Sequence, residues 1–446
     1  MNKQNLNSNN LCRRLLFQIQ KRNIQKAIQE IKKGELDEKF RTLYVEEKTA
    51  DLQKERYIRA LEQFEEIYGD AEVQVYSAPG RTEVGGNHTD HQYGKVLAAS
   101  VNLDAIAVVS RREDDKVLLH SEGYNSFALD LSELAVLPRE EGTTAALVRG
   151  VAAGMRRNDL RIGGFNAYVT SQVLGGSGLS SSAAIETLLG NIFSGLFNQG
   201  SVDAVRIAQI GQFAENEYFG KPSGLMDQMA CSVGGLIHID FRDPAKPQVR
   251  KIDVDFASFR HSLCILDTKG SHADLTPDYA AIPEEMRKAA SYFGKEVLGE
   301  VSEEDFYREL TLIRKFAGDR AVLRAIHWFD ENKRVDQQAE ALEKKDFSRF
   351  KALVRNSGES SYKYLQNVFS PHKQEEQSLA LALLLTEKIL GDDACCRVHG
   401  GGFAGTIQAF VPDDEVPRYK EEIEHYFGKG SCYVLKIRPA GGVRIL

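Results

Sequence analysis

The stretch GGSGLSSSAAIETLLGNIFSGLF, Gly175–Phe197, is a glycine-rich loop that turns into a helix through a run of serines. Ile185, Leu188, Leu189, Ile192, Phe193, Leu196 and Phe197 recur at three- and four-residue steps, the mark of a helix with one buried face. Glycines let a backbone come close to a ligand, and the first helical turn offers unpaired N–H groups at the positive end of the dipole. An anion, most simply the phosphates of a nucleotide, fits such a place. The serine hydroxyls can add contacts to a phosphate oxygen or to a metal ion. No lysine follows the glycines as in a P-loop, and Ser181 stands where a dinucleotide fingerprint needs its third glycine. Alone, the stretch reads equally well as a serine N-cap on a buried helix.

The segments around it set the fold class. Upstream, Val73 and Val75 of VQVYSAPG alternate with polar residues as in a half-buried strand, and VLAASVNLDAIAVVS reads as another strand. Phe165, Ala167 and Val169 alternate in FNAYVTS. Downstream, a helix carrying Glu215 ends near FGKPSG, where Gly220 and Pro222 are stop signals. Beyond about Asp255 the pattern restarts with the strand HSLCILD. Near the end it runs strand, GGFAGTIQAFV; helix, EVPRYKEEIEHYF; strand, CYVLKIRPA. Helices and strands mix without regular alternation, so an α+β fold in two domains is expected.

Composition narrows the class of function. The chain has 446 residues, 42% hydrophobic and 27% charged, ordinary for a water-soluble globular protein. Its net charge of −7 (57 basic and 64 acidic residues) argues against nucleic acid as the main partner. Six cysteines, Cys12, Cys231, Cys264, Cys395, Cys396 and Cys432, form no C-x-x-C pair, which suggests reduced thiols and a cytoplasmic protein. CRRLLFQIQKRNIQKAIQEIKKG, with Leu16, Ile19, Ile24 and Ile28 roughly on one face, is read as a helix packed on the body rather than a transit peptide. LALALLLTEKIL is too short to span a bilayer, and no membrane association is expected.

Three further stretches carry chemistry. APGRTEVGGNHTDH, Ala78–His91, concentrates arginine, carboxylates and histidines between glycines. No metal-ligand spacing supports its histidines as a metal site, whereas neighbouring Asp and His suit a polyhydroxylated ligand that needs both acceptors and donors. FGKPSGLMDQMA sets Asp227 after a turn, and Glu215 lies twelve residues earlier. One such carboxylate could serve a magnesium ion and another a hydroxyl nucleophile, although each is also an ordinary helix-end residue. VHGGGFAGTIQAF is a third glycine loop, leading into a strand.

Taken in order, GR…HTDH, GGSGLSSSAA, GLMDQ and GGGFAG closely resemble the galactokinase branch of the GHMP small-molecule kinases, over roughly Tyr57–Leu446. The resemblance implies a two-domain GHMP kinase fold with the active site in the interdomain cleft. Residues 1–50 would be a helical N-terminal extension, 51–257 the first kinase domain and 258–446 the second. It implies an ATP-phosphate cradle at Gly175, Gly176, Ser177, Gly178, Leu179, Ser180, Ser181 and Ser182, with Ser182 and Glu215 as Mg²⁺ partners. Asp227 matches the catalytic aspartate and Arg81 the arginine that keeps it ionised. Glu83, Asn87, His88, Asp90, Gly224 and Tyr279 fall at sugar-contact positions. The expected reaction is transfer of the ATP γ-phosphoryl group to the C1 hydroxyl of galactose, by a monomer or weak homo-oligomer. This chain departs from the family pattern GRVNLIGEHTDY at Glu83, Asn87 and His91. Asn87 takes the place of a glutamate that contacts the 6-hydroxyl, which opens galacturonic acid or arabinose as alternatives. Some relatives are sugar- and ATP-binding regulators without catalysis; intact GLSSSAA, Arg81 and Asp227 favour the enzyme.

Overall fold

The computed structural model describes residues 23–173, 178–270 and 275–446. Three helices come first: α1 (Ile24–Lys32), α2 (Asp37–Tyr44) and α3 (Glu47–Tyr68), the last running unbroken through residue 50. Strands β1 (Gln74–Gly85), β2 (Lys95–Arg111), β3 (Lys116–Ser121) and β4 (Phe127–Asp130) follow, then α4 (Thr144–Arg157), β5 (Phe165–Ser171), α5 (Ser181–Phe197), α6 (Ala204–Ala214) and α7 (Met226–Val233). Next come β6 (Leu236–Asp240) and β7 (Gln248–Ile252). These strands and β12 (Val443–Arg444) form one eight-stranded sheet, ordered β12-β1-β2-β5-β3-β4, with β6 paired to β2 and β7 to β6. Among the described residues only β3 and β5 pair in parallel. The 17-residue β2 is long enough to hold β5 with its C-terminal half and β6 with its N-terminal half.

Alternation on these strands feeds two cores. Ala105, Ala107 and Val109 of β2, with Phe165, Ala167 and Val169 of β5, pack on Val148, Val151, Ile192 and Phe193 of α4 and α5. Ile106, Val108, Val75 and Tyr168 point the other way, onto Ile24, Ile28, Phe40, Tyr57 and Phe64 of α1–α3. Ile24 and Ile28 are thus buried on the body; Leu16 and Ile19 lie outside the described residues. Period-2 strands buried on both faces need a helical layer on each side, and α1–α3 are the second layer.

The chain then builds β8 (His261–Asp267), α8 (Thr276–Ser291), α9 (Glu303–Arg308), α10 (Leu310–Ala317), α11 (Asp319–Glu343), α12 (Phe347–Ser360), α13 (Ser378–Leu390), β9 (Cys396–His399), β10 (Thr406–Pro412), α14 (Val416–Phe427) and β11 (Cys432–Leu435). The second sheet is antiparallel, ordered β11-β8-β10-β9. Cys264 and Leu266 face α13 and α14, while Leu263 and Ile265 face a core shared with α11, α12 and with Leu97, Ala99 and Val101 of β2. CYVLKIRPA does not stay a strand throughout: after Leu435 the chain crosses back, Ile437 bridges Val101, and β12 closes on β1. Cys231, Cys264, Cys395, Cys396 and Cys432 are free and buried. Among the described residues no helix is long and apolar enough to cross a membrane.

Candidate active site

β1 delivers Arg81 against the first turn of α7, where Asp227 sits at the favourable end of the helix dipole. The pair is bidentate: Nε donates to Oδ1 and Nη2 to Oδ2, each at 2.6 Å. Ser180 Oγ donates to Asp227 Oδ2 at 2.7 Å. Burial alone would raise the Asp227 pKa, but Arg81 and Ser180 outweigh it and hold the carboxyl below its ordinary range. Ser180 itself has a left-handed backbone, φ 57°, and makes no side-chain cap on α5. The simple serine N-cap is therefore not what this loop forms. Arg81 also reaches the carbonyl of Gly178, and its N–H donates to the Leu179 carbonyl, so β1 and the serine loop are tied together. Gly175, Gly176 and Ser177 lie outside the described residues.

A second cluster lies at the end of α6, where residues Glu215–Phe219 widen into a π turn. Glu215 is 1% exposed and accepts from Ser182 Oγ (2.7 Å), Lys221 Nζ (2.9 Å), Ser223 Oγ (2.5 Å) and Gln228 Nε2 (2.7 Å). Gln228 Nε2 also donates to the buried Glu186 at 3.0 Å. Burial and the nearby Glu215 push the Glu186 carboxyl well up.

The loop after β1 places the remaining residues. His88 has φ 58°. Asp90 Oδ1 accepts from the His91 N–H at 2.9 Å, while Oδ2 faces Gly224 so closely that a Cβ there would lie 2.1 Å away. Burial, then repulsion from Glu83, lifts the Asp90 pKa to about 6. Burial lowers His88 to about 4, so its ring is neutral: Nε2–H donates to the Gly401 carbonyl (2.9 Å) and Nδ1 accepts from His91 Nε2–H (3.3 Å). Tyr279 on α8 donates to the Gly402 carbonyl at 2.8 Å, which brings the third glycine loop onto the same site.

Two expected sugar contacts are turned inward. Asn87 is fully buried, and its amide donates to Glu83 Oε1 (3.1 Å) and the Gly400 carbonyl (2.7 Å). Its Oδ1 accepts from Ser361 Oγ (3.2 Å) and Asn367 Nδ2 (2.9 Å). No polar capacity remains for a 6-hydroxyl. Glu83, also buried, is ion-paired with Arg397 of β9. The amide–carboxylate pair of the family pattern is present with its members exchanged, and they bond each other.

Sequence reasoning passed over Lys221, Ser223, Gln228 and Arg397. Arg397 left a signal: a lone arginine in the apolar run CCRVH, at a core-facing strand position, demands a buried anion. Lys221 and Ser223 were legible only as turn residues.

Residues 62–111 match the galactokinase galactose-binding signature, and residues 146–235 the GHMP kinases N terminal domain. Galactokinase of Streptomyces coelicolor is 30% identical over 393 residues, covering 86% of this chain and 97% of that protein. Galactokinase of Lactobacillus helveticus is 30% identical over 370 residues, covering 81% and 92%. The crystal structure of Lactococcus lactis galactokinase complexed with galactose superposes with a TM-score of 0.73 at 26% identity, covering 86% of this chain and 98% of that one. Methanococcus jannaschii mevalonate kinase, 16% identical with a TM-score of 0.58, shares the fold, covering 81% and 98%. This is the GHMP kinase fold, in a sugar kinase. Within that class, the chain belongs to the galactokinase family.

Proposed function

We propose that the protein transfers the γ-phosphoryl group of ATP to the C1 hydroxyl of galactose, giving galactose 1-phosphate and ADP. The observation that carries this reading is the Arg81–Asp227–Ser180 cluster beside Asp90 and Gly224. It joins an ionised carboxylate, a fixed guanidinium and an open acceptor for ring hydroxyls in one place. Asp227 orients the C1 hydroxyl and accepts its proton as the new phosphorus–oxygen bond forms and the β–γ bridge breaks. A carboxylate held low by Arg81 is a weak base, so proton transfer comes late, and positioning and charge stabilisation carry most of the rate. Arg81 offsets charge on the transferring group, and the amide ends of α5 receive the phosphates.

Ser182 and Glu215 fit a Mg²⁺ partner role. Hard oxygen donors converge there, and Glu215 already holds the ammonium of exposed Lys221 on the oxygen that accepts from Ser182. Among the described residues no group of three or more His, Cys, Asp or Glu could hold a metal unaided, so phosphate and water oxygens would complete the shell. Such an ion supplies neutralisation of phosphate charge. The buried free cysteines support a reducing, cytoplasmic setting.

The deciding experiment is ADP release with Mg-ATP against galactose, galacturonic acid, N-acetylgalactosamine and L-arabinose, with Asp227→Asn alongside. Galactose-dependent turnover lost in the variant supports the proposal. Turnover with galacturonate alone would reassign the substrate. Binding without turnover would make the protein a sugar sensor.

A further inference from the structure

We infer that helix α11 is the template that fixes the Gly85–Gly94 loop, acting on its main chain through His327, Trp328 and Glu331; the inference rests on the proposal that this loop holds the sugar. His327 Nε2–H donates to the Asn87 carbonyl at 3.0 Å. Trp328 Nε1–H donates to the Thr89 carbonyl at 3.1 Å, and the Gly86 N–H donates to Glu331 Oε1 at 3.0 Å. One step further along, the Lys95 N–H donates to Asn332 Oδ1 at 2.6 Å. Positions 327, 328, 331 and 332 share one face of a helix. Three of the bonds go to backbone groups of the loop and the fourth to the first residue of β2 beyond it, all enclosed by protein, where an unpaired carbonyl or N–H is costly.

Two of these helix side chains, His327 and Glu331, are themselves held in one state. His327 accepts from Ser360 Oγ on Nδ1 at 2.8 Å, which fixes Nε2 as the donor. Glu331 Oε1 also accepts from Ser357 Oγ at 2.6 Å, and Oε2 pairs with Arg334. Burial would raise its pKa, but Arg334, with Arg397, outweighs that and holds it at about 2, so the bond to Gly86 is charge-assisted. The backbone approach is close: a Cβ on Gly85 would lie 2.0 Å from Gln338 Oε1 of the same helix.

The loop needs such a template. His88 (φ 58°) and Tyr93 (φ 61°) are both left-handed without being glycine, a conformation that persists only when its surroundings over-determine it. Asn87, His88, Thr89 and Asp90 are consecutive, so the carbonyls of Asn87 and Thr89 set where the Asp90 carboxylate points. His327, Trp328 and Glu331 are positioning residues: their bonds reach loop backbone and not the polar side chains that would meet a sugar.

Trp328 is the single tryptophan of the chain, so its emission reports on this contact. Hydrogen exchange of segment 85–94 and the KM values for galactose and ATP should be compared in wild type, Trp328→Phe and Glu331→Gln. Lys333→Ala, exposed on the same helix, is the control. Loss of one such bond should speed loop exchange ~tenfold and raise the sugar KM ~tenfold, with the ATP KM within about twofold. Galactose added to wild type without ATP should shift the Trp328 emission. Unchanged loop exchange in both variants would overturn the inference, as would sugar and ATP KM values that move together. If calorimetry detects no galactose binding to wild type, the proposed function falls, and the exchange data still decide whether α11 holds the loop.

Discussion

Asp227 accepts two guanidinium hydrogen bonds and a serine hydroxyl, whereas Asp90 accepts one backbone N–H and feels Glu83 across the interior. The two carboxylates therefore titrate in opposite directions. Asp227→Asn removes the proposed base and half of a bidentate pair, and ADP release should fall ~10²–10⁴-fold while calorimetry still detects sugar and nucleotide. Asp90, lifted from 3.8 to about 6, is protonated more readily folded than unfolded. The stability this gives is present below about pH 4 and is lost as pH rises through about 6. Asp90→Asn should therefore raise the unfolding free energy by on the order of 1–2 kcal/mol at about pH 8, discounted for partial exposure, and leave it nearly unchanged near pH 4. Urea titrations at the two pH values check this. In wild type, sugar affinity should weaken as pH falls through about 6, because protonated Asp90 keeps fewer acceptors.

At the scale of elements, the site depends on turns that bring separate helices into register. The turn between the π segment and α7 carries Lys221, Ser223 and Gly224 past Glu215 and Asp90 within a few residues. Gly224→Ala would set a methyl group 2.1 Å from Asp90 Oδ2 and force that carboxylate aside. The expected result is a rise of ~tenfold or more in the sugar KM with the ATP KM unmoved, read from initial rates. The elements that local pattern could reveal are α5, with Ile192 and Phe193 inward, and the strands β5 and β8, short apolar stretches that turn out to be buried on both faces. The π turn at Glu215–Phe219 was not legible, because nothing in the period of apolar residues marks it. Glu83 and Asn87 looked like sugar ligands. Their direction depends on Arg397, Ser361 and Asn367, some 270 residues or more away along the chain.

At the scale of the molecule, the parts are locked by a buried charge cluster. Asp104 on β2 accepts from Arg56 of α3 (2.6 Å), Tyr44 of α2 (2.7 Å), Ser77 of β1 and Arg438 of the C-terminal segment (3.1 Å). Burial would raise its pKa, but the two guanidiniums outweigh it and hold it below the ordinary range. Asp104→Asn leaves two buried cations without a counter-charge and should cost ~3–5 kcal/mol of unfolding free energy, measured in denaturant. Proteolysis should then cut first within α1–α3, which meet the body at this point.

The sequence by itself determined the class of fold, the identity of the family and the short-range chemistry: a serine-glycine loop entering a helix, an aspartate after a turn, a polar loop after a strand. These are legible because each depends on residues within one or two helical turns of each other. The tertiary structure alone decided which polar side chains are sealed against each other. It sent Ser180 to Asp227, sealed Asn87 and Glu83 against the second sheet, and laid α11 along the Gly85–Gly94 loop. A buried polar group takes the partner that folding brings to it, and the cost of leaving it unpaired makes that choice binding.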